Sequence, residues 1–210
     1  DIVKGLKGIL ADIENGTLHI DMEAEDIHTF IEGELTKRIG DNGKRLHTSR
    51  SRNDQVAVDI KLYLKKEVVN VKNLVVGLIK VIADKAEKYS ETVMPGYTHL
   101  QRAQPITFGH HLLAYGEMLL RDVSRLEDCL KRMDEMPLGS CALAGTTYPI
   151  DRTITAELLG FDRITNNSLD GVSDRDYCIE FASVLSIIMV HLSRFSEEII
   201  MWCSWEFKFI

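Results

Sequence analysis

The sequence predicts an all-α protein whose main body is a bundle of long helices. Three apolar patterns of helical period are unusually long, running over about residues 53–89, 107–133 and 174–210. The four prolines lie in the connections between or near these patterns. Helices of more than about 25 residues indicate a coiled coil, a membrane span or a long bundle. Charged side chains such as Lys65, Arg121 and Arg125 argue against a membrane span, so antiparallel packing in a bundle is the expected arrangement.

Two shorter helices are predicted ahead of the bundle. Apolar residues from Ile2 to Ile13 share one helical face, and Asn15-Gly16 ends that pattern. A second helical pattern extends from about Ile27 to Ile39, with Gly40 as its cap. Between them, residues 17–21 suit a short extended piece, but no sheet is expected.

Further signals lie in the second half of the chain. A short helix fits between Pro149 and Gly160, because proline favours the first turn of a helix and glycine the position after its last. Ser173, with Asp176 three positions later, resembles a capping box and predicts the start of the last long helix. The small residues of 138–152 predict a tight connection where backbone approaches backbone or a ligand.

The composition limits the classes of function. With 210 residues, 45% of them apolar, the chain can bury a core. The net charge of −7 argues against nucleic acid as the main partner, since phosphate neutralisation drives that binding. The four cysteines form no CxxC pair and no zinc spacing, which is typical of free thiols in a reducing cytoplasm. Without a signal peptide or an apolar run of bilayer length, we expect a cytoplasmic protein and no membrane contact.

The connection from His47 to Gln55, with the sequence HTSRSRNDQ, lies where the first long helix begins. Free N–H groups at a helix N-terminus, together with arginine forks and an asparagine amide, suit a carboxylate receptor. Arg50, Arg52 and Asn53 supply those side chains here. A solvated linker with a capping serine or asparagine is the alternative.

Two later connections also carry reactive or charged side chains. In GYTHLQRAQP, from Gly96 to Pro105, a hydroxyl and an imidazole are adjacent at Thr98 and His99. Histidine is readily tuned for proton transfer near neutral pH, although a loop histidine can equally be an ordinary hydrogen-bonded residue. In SLDGVSDRDY, Arg175 lies between two aspartates. It is either part of a capping and salt-bridge cluster or a substrate-facing cation held by its neighbours.

Together, in this order and between these helices, the connections resemble those of the argininosuccinate lyase family, which includes the delta-crystallins. The combination of SRSRNDQ with GYTHLQRAQP distinguishes this family from fumarase, aspartase and adenylosuccinate lyase. The resemblance extends from the EDIH segment at 25–28 to Trp205-Glu206-Phe207. It implies a long-helix bundle of the fumarase/aspartase type. Residues 1–51 would be the end of a small N-terminal helical domain, and residues 52–210 most of the bundle.

The resemblance also implies a reaction: the β-elimination of argininosuccinate to arginine and fumarate in arginine biosynthesis, with no metal or organic cofactor. It implies a homotetramer in which each active site takes residues from three subunits. His99 would be the acid/base histidine. The implied substrate-binding residues are Arg52, Asn53, Thr98, Arg175 and His28.

The family's signature loop, of the form GSSxMPxKxNP, would follow shortly after Phe209 and would carry the catalytic serine. The chain begins without a methionine and ends within an apolar run. We therefore expect a fragment that is inactive by itself.

Three alternative functions remain at this stage. The first is a catalytically silent, delta-crystallin-like or purely structural helical core. The second is another lyase of the same superfamily, such as an adenylosuccinate lyase. The third is an RNA-binding helical protein that would use Lys44, Arg45, Arg50 and Arg52, against which the acidic net charge and the lack of interleaved aromatic residues argue.

Overall fold

The computed structural model describes residues 1–210, and helices dominate it. Ahead of the bundle lie α1 (Ile2–Glu14), α2 (Ile27–Ile39) and a 3₁₀ segment (Gly40–His47). The first two helices pack closely, since a Cβ added at Gly5 would lie 2.5 Å from Leu35 Cδ1. Gly40 ends α2 with a φ of 68°, as predicted. Residues 17–21 form no strand.

The bundle consists of α3 (Arg52–Lys88), α4 (Phe108–Met133) and α7 (Asp176–Cys203). Its main core contains 14 buried residues from these three helices. Their spacing explains the packing: buried residues recur every seven positions along α3 and α4, which keeps one face of each helix turned towards its neighbours. The residues are Val68, Val75 and Ile82 on α3, and Leu112, Leu119, Leu126 and Met133 on α4. The predicted all-α bundle is confirmed.

The three long helices alternate in direction. The amide of Gly109, at the start of α4, donates to Tyr89 O at the end of α3 (3.1 Å). At the other end of the bundle, Lys61 Nζ donates to Glu135 O just beyond α4 (3.1 Å). The helix α7 then returns alongside, bringing Trp202 edge-on to Phe108 with ring centroids 5.4 Å apart. As a 37-residue helix, α3 is about 55 Å long and sets the distance between the two ends.

The prediction that the chain contains no sheet is wrong at residues 93–107. Here β1 (Val93–Thr98) and β2 (Gln101–Thr107) form an antiparallel hairpin in which Pro95 lies opposite Pro105. Prolines normally argue against a strand, but both strands of a two-stranded ribbon are edge strands, where a missing N–H is tolerated. A second, very short parallel pair joins β3 (Glu135–Met136) to β4 (Arg163–Ile164).

The capping box predicted at Ser173 is also wrong. Ser173 is the last residue of a short helix, α6 (Ser168–Ser173), and its hydroxyl donates back to Leu169 O (2.8 Å). The helix α7 begins later, where Asp174 Oδ1 accepts from the amide of Asp176 (2.8 Å). It ends at Cys203 instead of continuing to the last residue. The short helix predicted before Gly160 is confirmed as α5 (Arg152–Leu159).

The last long helix, α7, is apolar on more than its core face. By length and composition alone it is long enough to cross a membrane, with a mean hydropathy of 1.5 over 18 residues. One such helix is weak evidence, because the core helix of a soluble protein passes the same test. Phe181, Val184 and Ile188 face the bundle core, whereas large apolar side chains remain exposed elsewhere on the helix. The exposed residues are Ile179, Met189, Val190, Ile199 and Ile200.

Candidate functional site

One end of the bundle brings together three of the residues predicted to bind substrate. Arg52, Asn53 and Arg175 line a cleft of about 260 Å³, together with Val56, Val172 and Ser173. We call this region the receptor end: residues 26–32, residues 47–59, the connection 138–142 that lies over the start of α3, and residues 172–175. The capping box of α3, formed by Ser51 and Asp54, starts the helix here.

The buried Asp54 organises the receptor end, and it was not among the predicted site residues. One carboxylate oxygen accepts from the amide of Ser51 (2.9 Å). The other accepts from the amides of Gly139 (3.0 Å) and Cys141 (2.8 Å). These bonds fold the connection over α3, where Ala142 O accepts from Asn53 Nδ2 (3.1 Å). The capping spacing from Ser51 to Asp54 is visible in the sequence, but its partners 85 residues away are not.

The other end of that small-residue connection is held by Arg152. Its Nε donates to Leu138 O (2.7 Å), and its Nη2 donates to Met136 O (3.2 Å) and Thr165 Oγ1 (2.7 Å). Burial lowers the pKa of the Arg152 guanidinium, and the charge of Asp54 opposes that shift. The stretch 138–152 is therefore a tight backbone connection, as its composition predicted.

Each nitrogen of the Arg52 guanidinium has a protein partner. Its Nε pairs with Asp26 Oδ2 (3.0 Å). Its Nη1 donates to Glu32 Oε1 (3.1 Å) and Gln55 Oε1 (2.8 Å), and its Nη2 donates to Thr29 Oγ1 (3.3 Å). This geometry joins α2 to the start of α3 and leaves Arg52 no free fork to offer to a ligand.

Arg175 is held differently. Its Nη1 donates to the backbone oxygens of Val172 (3.1 Å) and Asp174 (2.6 Å). Its Nε and Nη2 have no protein partner, so one edge of the guanidinium faces outward as a fork. Such a fork matches the two oxygens of a carboxylate.

His28 also lies at the receptor end, but the protein uses both of its ring nitrogens. Gln55 Nε2 lies 2.8 Å from Nδ1, and Asp59 Oδ2 lies 3.3 Å from Nε2. Burial raises the pKa of the Asp59 carboxyl, although the nearby positive charges oppose this. His28 therefore supports the start of α3 from α2 and does not present a free nitrogen.

At the opposite end of the bundle, the hairpin of residues 93–107 carries Thr98 and His99; we call it the hairpin end. His99 and Leu100 form its two-residue turn with φ values of 53° and 59°. Turns of this kind favour Asn-Gly, because other residues in left-handed backbone cost roughly 1–3 kcal/mol each. Thr98 and His99 are exposed. Neither ring nitrogen of His99 has a protein partner, so the imidazole is free to meet a ligand.

An aromatic contact joins this hairpin to the segment that follows α7. Tyr97 packs edge-on to Phe207, with ring centroids 5.7 Å apart. Behind Thr98 lies a cleft of about 300 Å³, lined in part by His110 and His111. His111 pairs with Glu198 on α7.

The receptor end and the hairpin end lie near opposite ends of α3. The structure therefore unites Arg52, Asn53, His28 and Arg175 at one place, and Thr98 and His99 at another. A helix of about 55 Å separates the two groups within one chain.

Comparisons with known proteins agree over the whole chain. The family model described as "Lyase" matches residues 1–210. Argininosuccinate lyases from Desulforamulus reducens, Clostridium beijerinckii and Ruthia magnifica are 60%, 61% and 62% identical to the whole chain. The chain spans 45%, 45% and 44% of the length of these curated relatives.

Solved structures share the fold. The crystal structure of EDDS lyase in complex with formate matches 99% of the chain with a TM-score of 0.89 and 33% identity, over 40% of its own length. A "fumarate lyase:delta crystallin" from Brucella melitensis matches 84% of the chain, over 42% of its own length, with a TM-score of 0.71. At 22% identity this second likeness concerns the fold alone. The predicted bundle of the fumarase/aspartase type is confirmed.

Proposed function

The chain belongs to the lyase family along its whole length, and from that premise we propose that the protein is an argininosuccinate lyase. It would cleave argininosuccinate to arginine and fumarate in arginine biosynthesis. The identity of 60–62% to curated argininosuccinate lyases across the whole chain carries this assignment. Since the chain spans less than half of those relatives, the activity is proposed for the whole protein. Residues 1–210 contain no GSSxMPxKxNP motif, so the signature serine loop would lie elsewhere in the whole protein.

The receptor end would bind a carboxylate of the succinyl group. In a β-elimination, a base removes a proton from the carbon beside a carboxylate, and negative charge then builds up on that carboxylate. Donors that are already fixed stabilise such charge without reorganising during the reaction. The open fork of Arg175 and the amide of Asn53 suit this role. We propose that Arg52 and His28 position these groups, because their own nitrogens are occupied.

The hairpin end would move protons. A strained and exposed turn is kept in a fold when something compensates for its cost, and active sites are where such strain collects. His99 has an unpartnered imidazole there, and Thr98 provides an adjacent hydroxyl. His99 would carry out one of the two proton transfers of the reaction: it would either remove the proton from carbon or deliver a proton to the leaving guanidino group. None of these roles requires a metal or cofactor, and their absence stays a prediction.

A complete site would then combine the receptor end of one copy with the hairpin end of another. The distance of about 55 Å between the ends supports this arrangement. The exposed apolar side chains of α7 support self-association, because uncovered apolar surface of this kind marks interaction sites. We propose a cytoplasmic homotetramer with shared active sites, and a division between an N-terminal domain and the bundle at residues 51 and 52.

One solved structure of a relative contains fumarate, which is a product of the proposed reaction. A structure of a variant of EDDS lyase has bound fumarate, and it matches 99% of the chain and 40% of its own length with a TM-score of 0.89. A fold of this kind can therefore hold the dicarboxylate that the proposed reaction would release.

The direct test is an assay of the intact protein with argininosuccinate, following fumarate by its ultraviolet absorbance. Adenylosuccinate, which also releases fumarate on elimination, is the matched control substrate. The proposal predicts fumarate from argininosuccinate and none above background from adenylosuccinate. The reverse preference would assign the protein to another lyase of the superfamily, and no fumarate from either would favour the structural, crystallin-like alternative.

A further inference from the structure

Two arginines and a histidine converge on one carboxylate at the receptor end. Glu32 Oε1 lies 3.1 Å from His47 Nδ1, 3.3 Å from Arg50 Nη2 and 3.1 Å from Arg52 Nη1. All three partners belong to residues 47–52, just before Asn53. The Glu32 side chain is 23% exposed, so water screens these contacts only in part.

The sequence of α2 explains why Glu32 faces this loop. Asp26, Thr29 and Glu32 are spaced by three residues and therefore share one face of the helix. All three bond to the guanidinium of Arg52. Of the three, Glu32 alone also reaches back to His47 and Arg50. Glu32 therefore joins three residues of this loop to α2.

The loop needs such an attachment because its own geometry is costly. Ser49 has a φ of 57°, in the left-handed region that favours glycine. Two arginines within three residues also repel each other unless an anion lies between them. Burial alone would raise the pKa of Glu32, but the hydrogen bonds from His47 and Arg52 and the charge of Arg52 outweigh it, and the pKa is lowered. The carboxylate therefore stays ionised where the loop requires a negative charge.

We propose that Glu32 is a positioning residue that fixes residues 47–52, so that Asn53 lines the receptor cleft together with Arg175. Glu32 does not touch the substrate in this arrangement. The role in catalysis rests on the proposed function, whereas the ordering of the loop does not.

The test compares Glu32→Gln, Glu32→Asp and Glu34→Gln in the intact protein. Glu34 is a matched control, because it is similarly buried but pairs only with Lys37 on its own helix. We expect Glu32→Gln to raise the KM for argininosuccinate about tenfold with little change in kcat, since it weakens ground-state and transition-state binding alike. Amide hydrogen exchange in residues 47–53 should rise about tenfold, with no change in α3 beyond its first turns. Glu32→Asp should give smaller changes in both, because it keeps the charge.

Three outcomes would overturn the proposal. One is that Glu32→Gln matches Glu34→Gln in both KM and exchange. Another is that Glu32→Asp is as impaired as Glu32→Gln. The third is exchange that rises throughout α2 and the bundle, which would make Glu32 a general stabilising residue. If the wild-type protein does not cleave argininosuccinate, the proposed function fails, and local exchange in residues 47–53 still decides the role of Glu32.

Discussion

The receptor end and the hairpin end hold their candidate residues in opposite ways. At the receptor end, every side-chain nitrogen of Arg52 and His28 contacts another protein group. Asp54 accepts hydrogen bonds from three backbone N–H groups. At the hairpin end, His99 has left-handed backbone, is exposed and has no protein partner. A region that stabilises charge needs donors fixed in advance, whereas a group that moves a proton must reach its substrate. The receptor end thus holds its side chains fixed, as charge stabilisation requires, and the hairpin end leaves the imidazole of His99 free, as proton transfer requires.

Removing the His99 imidazole from the hairpin end should lower kcat without lowering the thermal stability of the protein. We expect His99→Ala to lower kcat by about 10²–10⁴-fold, the range for losing a general acid or base. Its melting temperature should stay at or slightly above that of the wild type, since no protein contact of the imidazole is lost. Steady-state fumarate release and thermal unfolding measure the two effects, with the exposed His19→Ala as control. A kcat within threefold of the wild type would remove His99 from the mechanism.

The receptor end should depend on Asp54 for stability. Asp54→Asn replaces one accepting oxygen by an NH₂ group that faces backbone N–H donors. We expect it to lower the free energy of unfolding by about 2–3 kcal/mol, because it leaves buried donors without an acceptor. Urea unfolding would measure this loss, with the exposed Asp84→Asn as the matched control. Equal stability of the two variants would mean that the connection 138–142 is held by other contacts.

The two receptor-end arginines should respond differently to the same change. Arg52→Lys should lower the free energy of unfolding by about 1–3 kcal/mol, because lysine cannot replace its fork of protein bonds. Arg175→Lys should cost less stability than Arg52→Lys, because only the two bonds of its Nη1 to backbone oxygens are at stake. It should raise the KM about tenfold, because its open fork is lost to the substrate. Thermal unfolding and the fumarate assay on both variants would separate these roles. The opposite assignment of effects would make Arg52 the substrate contact.

The smallest predicted effect concerns the strain at the hairpin turn. Leu100 is exposed and has a φ of 59°, so Leu100→Gly should stabilise the protein by about 0.5–1 kcal/mol. Leu158→Gly, at an equally exposed position within α5, should instead destabilise it by about 1 kcal/mol. A loss of stability in both variants would show that the turn is not strained.

The long helices were predictable because their apolar residues recur at a helical period over many turns. The hairpin was not, because Pro95, Gly96 and Pro105 normally argue against strands, and only their pairing as two edge strands makes them acceptable. Ser173 was mistaken for a cap because its spacing to Asp176 is right, while the structure ends α6 at that serine.

The residues of the site were predictable as a set, but their individual roles were not. Arg52 and Arg175 look alike in the sequence. Only the fold shows that one meets Asp26 and Glu32 while the other keeps a free edge. Partners that are distant along the chain leave no local pattern, which is also why Asp54 was missed.

The most direct test of a site shared between copies is to mix two variants of the intact protein that each impair one end, His99→Ala and Arg175→Ala. The two are unfolded together, refolded and assayed for fumarate, beside each variant refolded alone. If each site takes its receptor end and its hairpin end from different copies, random assembly leaves about a quarter of the sites with both ends intact. We expect about that share of wild-type activity in the mixture. Activity no higher than that of the separate variants would mean that both ends of each site come from one chain, and would contradict the account.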